Sequence, residues 1–429
     1  MSARPDEFLE AADFIAARLC RDAVWAGARC NWLGDSMEFV GGQWSVAHRA
    51  FGPELYGGTS GVALFLTEAY RLTGEPLFRA TALGGLRQAL SRLEDFAAPG
   101  RAGFYTGRTG VAYALARAGE IFEDESLTGR GLELIEGLTA DEPDERMTDV
   151  LAGSAGAVAA LIALHKKYGR DFLLELAVRH GNFLVGAARK TAAGWSWNTL
   201  NIEPERRRED LTGFSHGAGG ISWALLELWR ATGEGKFRVS AEQGFRYERS
   251  HFSPEQENWP DYRGLYDPFM GGGQQQQQQQ QGPGFMVAWC HGAPGLGLSR
   301  VRAYAITGDE SYKAEAEVAL RTTARTLAQP VYAGQGNYSL CHGSFGNAEL
   351  LLYASRALPG AGAEYLALAE QVARQGIEQC QKSYSPWPCG VMGGGETPGL
   401  LLGLAGIGHF YLRLHDPEGV PPVLIILPD

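Results

Sequence analysis

Apolar residues in this chain fall in short, nearly unbroken runs, each set just behind a pair of glycines. The first three runs are Val62-Ala63-Leu64-Phe65-Leu66, Val111-Ala112-Tyr113-Ala114-Leu115 and Ala157-Val158-Ala159-Ala160-Leu161-Ile162. The glycine pairs recur seven times as Gly-x-x-Gly: Gly58–Gly61, Gly107–Gly110, Gly153–Gly156, Gly217–Gly220, Gly292–Gly295, Gly343–Gly346 and Gly403–Gly406. Steps between first glycines are 49, 46, 64, 75, 51 and 60 residues. Runs with no polar face predict helices buried all round. Thr73-Gly74-Glu75, Thr232-Gly233-Glu234 and Thr307-Gly308-Asp309 begin 12 residues beyond the second glycine of their units. Glycine at that place predicts a helix C-cap. Phe78, Phe237 and Tyr312 then open a second, amphipathic helix.

Each unit therefore reads as a glycine turn, a buried helix, a short turn and a surface helix. One such pair cannot bury its own apolar face, so the units must stack. Seven units without a polar end-cap predict closure, giving an all-α, double-layered α/α toroid of seven helix-pair repeats. Residues 1–44 read as an N-terminal segment packing on the toroid, with helical spacing over Phe8 to Cys20 and a break at Asn31-Trp32-Leu33-Gly34. Residues 45–429 form the toroid as one domain. The two longest steps hold Gly194-Trp195-Ser196-Trp197-Asn198 and Asn258-Trp259-Pro260-Asp261-Tyr262-Arg263. The tract Gly271–Gly282 (GGGQQQQQQQQG) is low complexity, reads as a loop and carries no assigned chemistry.

Composition narrows the function classes. A net charge of −11 argues against a general nucleic-acid binder. No stretch approaches 18 consecutive apolar residues, so no membrane span is expected. The stretch Met1 to Glu7 lacks the apolar core of a signal peptide, so a cytoplasmic location is expected. Six cysteines, at 20, 30, 290, 341, 380 and 389, do not form a dense disulfide framework.

The candidate chemistry sits in front of the turns. Both Cys290-His291-Gly292-Ala293-Pro294-Gly295 and Cys341-His342-Gly343-Ser344-Phe345-Gly346 read Cys-His-Gly-x-x-Gly. Closing the ring makes these two turns neighbours. Two thiols and an imidazole suggest zinc, and a helix N-terminus behind each cysteine favours the thiolate. Three protein ligands would leave a fourth position open, as in catalytic zinc sites. His291 and His342 compete for the third place. His216 occupies the same position one unit earlier, in Gly213-Phe214-Ser215-His216-Gly217, and is a candidate general acid or base. Asp149 lies four residues before its own turn and suits either a helix cap or an active-site carboxylate. Ser215 lacks a Gly-x-Ser-x-Gly elbow and is set aside as a nucleophile.

These residues resemble the lanthionine cyclases, the LanC-like family, and more narrowly the cyclase domain of class II lanthipeptide synthetases. The matches are Gly213 to Ile221, Ala288 to Gly295 and Leu340 to Gly343, supported by Tyr247-Glu248-Arg249-Ser250, Asn258-Trp259-Pro260-Asp261 and Gly403 to Gly408. They span about residues 8 to 425. The resemblance implies an α/α toroid and one zinc held by Cys290, Cys341 and His342. A cysteine thiol of a dehydrated precursor peptide would add to a dehydroalanine or dehydrobutyrine and close a thioether ring. His216 would serve as acid or base with Asp149 assisting, and His291 would stabilise the enolate or supply its proton. One departure is Met286, where stand-alone cyclases tend to carry an arginine. A second is the missing dehydratase domain of class II synthetases, which implies an excised domain or a separate dehydratase protein.

Competing readings use the same residues. A LanC-like enzyme adding glutathione or another small thiol needs the same site. A zinc-binding scaffold without catalysis needs only the ligands. A zinc prenyltransferase toroid would want a basic diphosphate pocket near turns four to six, and none is visible. A glycosidase on a similar toroid would want two facing carboxylates, and only Asp149 is placed for that.

Overall fold

The computed structural model describes residues 6–40, 43–203, 205–266, 283–329 and 336–428. The tract at 271–282 lies outside them. Fourteen α-helices are found among the described residues. Helix α1 (Asp6–Arg21) comes first. Three helix pairs follow: α2 (Thr59–Thr73) with α3 (Pro76–Leu90), α4 (Arg108–Phe122) with α5 (Glu125–Glu136), and α6 (Ser154–Tyr168) with α7 (Asp171–Ala187). Next come α8 (Ala218–Thr232) with α9 (Gly235–Ser250), α10 (Ala293–Thr307) with α11 (Glu310–Leu327), and α12 (Ser344–Ala357) with α13 (Ala363–Gly376). Helix α14 (Leu404–His415) is the last.

The first member of each pair begins at a Gly-x-x-Gly turn, as the apolar runs require. Each of these inner helices packs on the next, and α14 packs back on α2, so the ring closes. The seventh outer helix comes from the other end of the chain. Helix α1 lies on α14, with Phe8, Ala12, Ile15 and Leu19 buried and Phe8 stacked on Tyr411 at 6.1 Å. The N-terminal segment thus supplies a wall of the outer layer. It continues into hairpins β1 (Val24–Ala26) with β2 (Arg29–Asn31) and β3 (Leu33–Val40) with β4 (Gln43–Ala50). The β3–β4 ladder, from Leu33 against Ala50 to Val40 against Gln43, spans the boundary expected at residue 44. A third hairpin, β5 (Arg189–Thr191) with β6 (Gly194–Ser196), decorates the third step.

Why glycine recurs is visible at the second glycine of every turn. A Cβ there would stand between 1.8 and 2.1 Å from the backbone oxygen of the residue six positions earlier: Leu55, Phe104, Val150, Phe214, Trp289, Leu340 or Leu400. Backbone cannot yield as a side chain can, so only glycine fits. The glycine C-caps expected at Gly74, Gly233 and Gly308 are present, with φ of 71, 74 and 69°. Polar residues on the inner helices pair across neighbours: Glu68 with Arg117, Glu227 with Arg302, and Glu349 with Arg413. Burying such charges is tolerated only in pairs.

The hole left by seven helices is filled by the residues after α14. Val420, Val423, Leu424 and Ile425 are buried. Arg117 and Arg413 donate to the carbonyls of Gly419 (3.0 Å) and Val420 (2.8 Å). Tyr105 Oη and Trp289 Nε1 donate to those of Val423 (2.7 Å) and Leu424 (2.8 Å). The segment therefore rises inside the ring towards the glycine turns, where Trp289 precedes Cys290. No described helix is long and apolar enough to cross a membrane.

Candidate functional site

The residues two places before the first glycines are joined by six backbone hydrogen bonds, all running the same way round, with the step from Tyr105 to Leu151 left unbonded. Tyr56 N–H donates to the Tyr105 carbonyl (2.8 Å), Leu151 to Ser215 (3.2 Å), Ser215 to Cys290 (3.2 Å), Cys290 to Cys341 (3.4 Å), Cys341 to Leu401 (2.9 Å) and Leu401 back to Tyr56 (2.8 Å). Equivalent positions in sequence have become neighbours in space, and Cys290 and Cys341 sit side by side.

A second rule holds in six turns. The first helical N–H donates to the carbonyl seven residues earlier: Thr59 to Gly52, Arg108 to Arg101, Ser154 to Met147, Ala218 to Leu211, Ser344 to Asn337 and Leu404 to Thr397. Turn five breaks it. There Ala293 N–H donates to Asn258 Oδ1 (2.8 Å), while Asn258 Nδ2 donates to the Met286 carbonyl (3.0 Å). The side-chain amide has inserted between the two backbone groups. Gly292 accordingly takes φ +93°, a conformation that L side chains rarely adopt, whereas the other six first glycines have negative φ.

The two cysteines are buried, each 6% exposed, and their sulfurs share a hydrogen bond. That bond from Cys341 stabilises the Cys290 thiolate, and Arg263 and His216 add their charge, bringing Cys290 down to about 7. The same bond holds Cys341 protonated and raises its thiol, against a hydrogen bond from the Tyr56 hydroxyl. The other four cysteines contrast. Burial pushes Cys20 and Cys380 up to about 11, and Cys30 and Cys389 up to about 12.

His342 Nε2 lies 2.8 Å from the Gly390 carbonyl. A carbonyl only accepts, so Nε2 carries the proton and Nδ1 keeps a lone pair, the state a metal ligand needs. Burial lowers its pKa, which favours the neutral ring. Among the described residues, no group of three or more His, Cys, Asp or Glu side chains stands gathered at metal-holding distance.

His216 Nδ1 is 2.6 Å from Asp149 Oδ2, and Asp149 Oδ1 accepts from Ala152 N–H at 2.8 Å. Asp149 thus holds a turn amide and His216 at once; it is not a helix cap, since the N-cap of α6 is Gly153 without a side-chain bond. Burial works against the charged form of His216, but the Asp149 hydrogen bond and charge outweigh it and the pKa is raised. With Nδ1 committed to the carboxylate, proton exchange falls to Nε2, and the ring remains 26% open. Glu248 Oε1 accepts from Gly213 (3.0 Å) and Gly219 (2.6 Å), fixing the backbone on both sides of His216. This explains the Tyr247-Glu248-Arg249 match. Burial raises the Glu248 carboxyl to about 8.

His291 stacks on His216 at 5.8 Å and is 1% exposed. Its Nδ1 donates to the Thr212 carbonyl (3.3 Å), and its Nε2 has no partner among the described residues. Burial pulls its pKa down to about 3.

Three neighbours of the site went without a role in the sequence reading. Tyr56 stood in the right repeat position, but tyrosine is not a usual zinc ligand. Asp261 and Arg263 lie in the long fourth step, whose density of polar residues around Pro260 was the available signal. Burial opposes ionisation of Asp261, but His291 and Arg263 outweigh it and hold the carboxyl at about 2. A groove of about 820 Å³, lined by Arg49, Phe51, Glu54, Tyr56, Arg92 and Phe96 among others, reaches the site at Tyr56.

Comparison with known proteins agrees with this layout. The family described as lanthionine synthetase C-like protein matches residues 50–425. A solved structure of nisin cyclase superposes with a TM-score of 0.60 at 17% identity, covering 96% of this chain and 95% of that one. A Danio rerio protein named glutathione S-transferase LANCL1 is 22% identical over 310 residues, which is 68% of this chain and 67% of that protein. The toroid, its glycine turns and a family match over most of the chain lead to one conclusion: this protein belongs to the lanthionine synthetase C-like family.

Proposed function

We propose that the protein is a zinc-dependent lanthionine cyclase. It adds cysteine thiols of a dehydrated precursor peptide to dehydroalanine or dehydrobutyrine residues and closes thioether rings. The observation that carries this reading is the meeting, at one rim, of the Cys290–Cys341 pair with the His216–Asp149 pair.

The donor set suits zinc in kind: two adjoining sulfurs, one already drawn towards thiolate, and His342 with its Nδ1 lone pair open. Cys290, Cys341 and His342 would hold the ion, which when bound lowers the pKa of an incoming thiol. The chain's own residues do the rest. His216, through Nε2, accepts the thiol proton and returns it to the α-carbon after sulfur has added. Asp149 orients the ring and stabilises its charged form. His291, buried flat against His216, fixes the plane of that ring. The groove ending at Tyr56 is the path for the peptide. The dehydrated substrate comes from a separate dehydratase protein or domain.

The name of the Danio rerio relative favours one second reading, in which the thiol comes from glutathione. One experiment separates the two. A pre-dehydrated peptide containing cysteine is incubated with the zinc-loaded protein, with and without glutathione, and followed by mass spectrometry and cysteine alkylation. The cyclase reading expects loss of alkylatable cysteine at unchanged mass in both arms. A glutathione adduct alone would establish the second reading, and no thioether of either kind would leave a zinc-binding scaffold. Metal analysis runs beside it: Cys290→Ala and Cys341→Ala should each lose zinc, and full retention in both would remove the site.

A further inference from the structure

Thiol addition to a dehydroamino acid creates a charge that the residues named so far do not meet. As the sulfur bonds to the β-carbon, the π-electrons move through the α-carbon onto the carbonyl oxygen. Protonation of the α-carbon then restores the carbonyl, so the net change is addition of S–H across C=C. Between the two steps the oxygen carries a negative charge, and a fixed donor aimed at it is where an enzyme gains most.

We propose that Arg263 is that donor and is a catalytic residue of this site, a claim that rests on the thiol-addition reading above. Arg263 sits in a single 3-10 turn, Tyr262–Leu265, capped by Asp261. Asp261 Oδ1 accepts from the Arg263 backbone N–H (3.0 Å), and the carboxylate also accepts from Nε (3.1 Å) and Nη2 (2.7 Å). Asp261 is itself anchored through its N–H to the Gly284 carbonyl (2.7 Å). One edge of the guanidinium is therefore clamped, and Nη1 makes no hydrogen bond among the described residues. Nη2 also lies 3.4 Å from Met286 Sδ. The side chain is 19% exposed, so it is open to a ligand without being bathed in water.

Geometry places Arg263 beside the constellation. Oδ1 of the Asp261 that clamps it lies 3.9 Å from His291 Nδ1, and His291 stacks on His216 at 5.8 Å. With Nη2 against Met286, four residues before Cys290, the guanidinium borders the place where substrate must react. Arginine is suited to this task because its fork is rigid and stays charged. The segment carrying it is the one whose Asn258 opens turn five, so one insertion both reshapes the turn and delivers the cation.

The test compares wild type with Arg263→Ala on a pre-dehydrated peptide at saturation, with zinc content and peptide binding measured in parallel. Ring closure should fall about 10²–10³-fold while zinc and peptide binding stay unchanged. Adding Met286→Arg to Arg263→Ala returns a guanidinium beside the vacated place and should recover at least about tenfold of the rate. If Arg263→Ala does not fold, Arg263→Gln, which keeps a donor to Asp261, carries the same expectation. A rate within about threefold of wild type overturns the assignment. So does a loss that tracks zinc or peptide binding and is not recovered by Met286→Arg, since that marks a structural role. A wild-type protein that forms no thioether overturns the parent reading instead, and the two failures are told apart by that first measurement.

Discussion

Turn five and the other six turns share a sequence pattern but differ in how their first helical N–H is satisfied. In six turns a backbone carbonyl seven residues back does it, and nothing from outside the unit is needed. In turn five a side chain from the preceding insertion does it, and the glycine in front takes a positive φ to make room. The regular turns show what the repeat requires for stability. The exception marks where an insertion has been written over the repeat, and the insertion that supplies Asn258 also supplies Asp261 and Arg263. A symmetric scaffold offers seven equivalent places, and chemistry needs them to be unequal.

Substitutions can break this comparison at graded strength. Gly292→Ala is expected to be the most damaging, because the new Cβ meets the Met286 carbonyl and also forces a conformation that L residues avoid. It should exceed the loss from Gly58→Ala, which meets the Glu54 and Gly52 carbonyls at 2.4 and 2.5 Å but keeps an ordinary φ, by about 1–3 kcal/mol in urea unfolding. Equal losses would mean that turn five is no more strained than turn one. Asn258→Ala comes next. It strands a buried N–H and a buried carbonyl, and should cost about 3 kcal/mol. A cost below about 1 kcal/mol would show that the amide does not stand in for the missing backbone bond. His216→Ala should be the mildest for stability, about 1–2 kcal/mol, because turn four keeps its backbone bond from Ala218 to Leu211 and Asp149, though stripped of its ring partner, still accepts from Ala152. Its effect should fall on rate, a loss of about 10²–10⁴-fold with zinc retained. Loss of metal in that variant would move His216 from proton transfer to ligation.

Much of this was legible from the chain alone, for a physical reason. Glycine at a place where a Cβ would strike backbone cannot be replaced, so seven turns announced themselves and counted the units. The apolar runs then gave the inner helices, and fixed offsets from the glycines, two places for Cys290 and Cys341 and one for His216, put all three on one rim. What stayed hidden were relations that no periodic offset encodes. The pairing of α1 with α14 joins the two ends of the sequence, so Phe8 carries no local sign of Tyr411. The tail after α14 reads as an ordinary apolar stretch, and nothing in Val423-Leu424-Ile425 says that it lies inside a ring. Asp149 with His216 is legible only as a candidate pair, because 67 residues separate them. Arg263 was masked by its setting, a long irregular step where one arginine looks like any other surface charge.

The pairing of α1 with α14 also sets the order in which the molecule can be completed. Helix α1 is made before α14, with the apolar face of Phe8, Ile15 and Leu19 made for a surface that does not yet exist. At roughly 5–20 residues per second, that surface follows only after tens of seconds of further synthesis. Until then the nascent chain is an open arc with an unpaired helix at one end and an unlined hole at its centre. Closure of the ring therefore waits until α14 and the segment that lines the hole have been made.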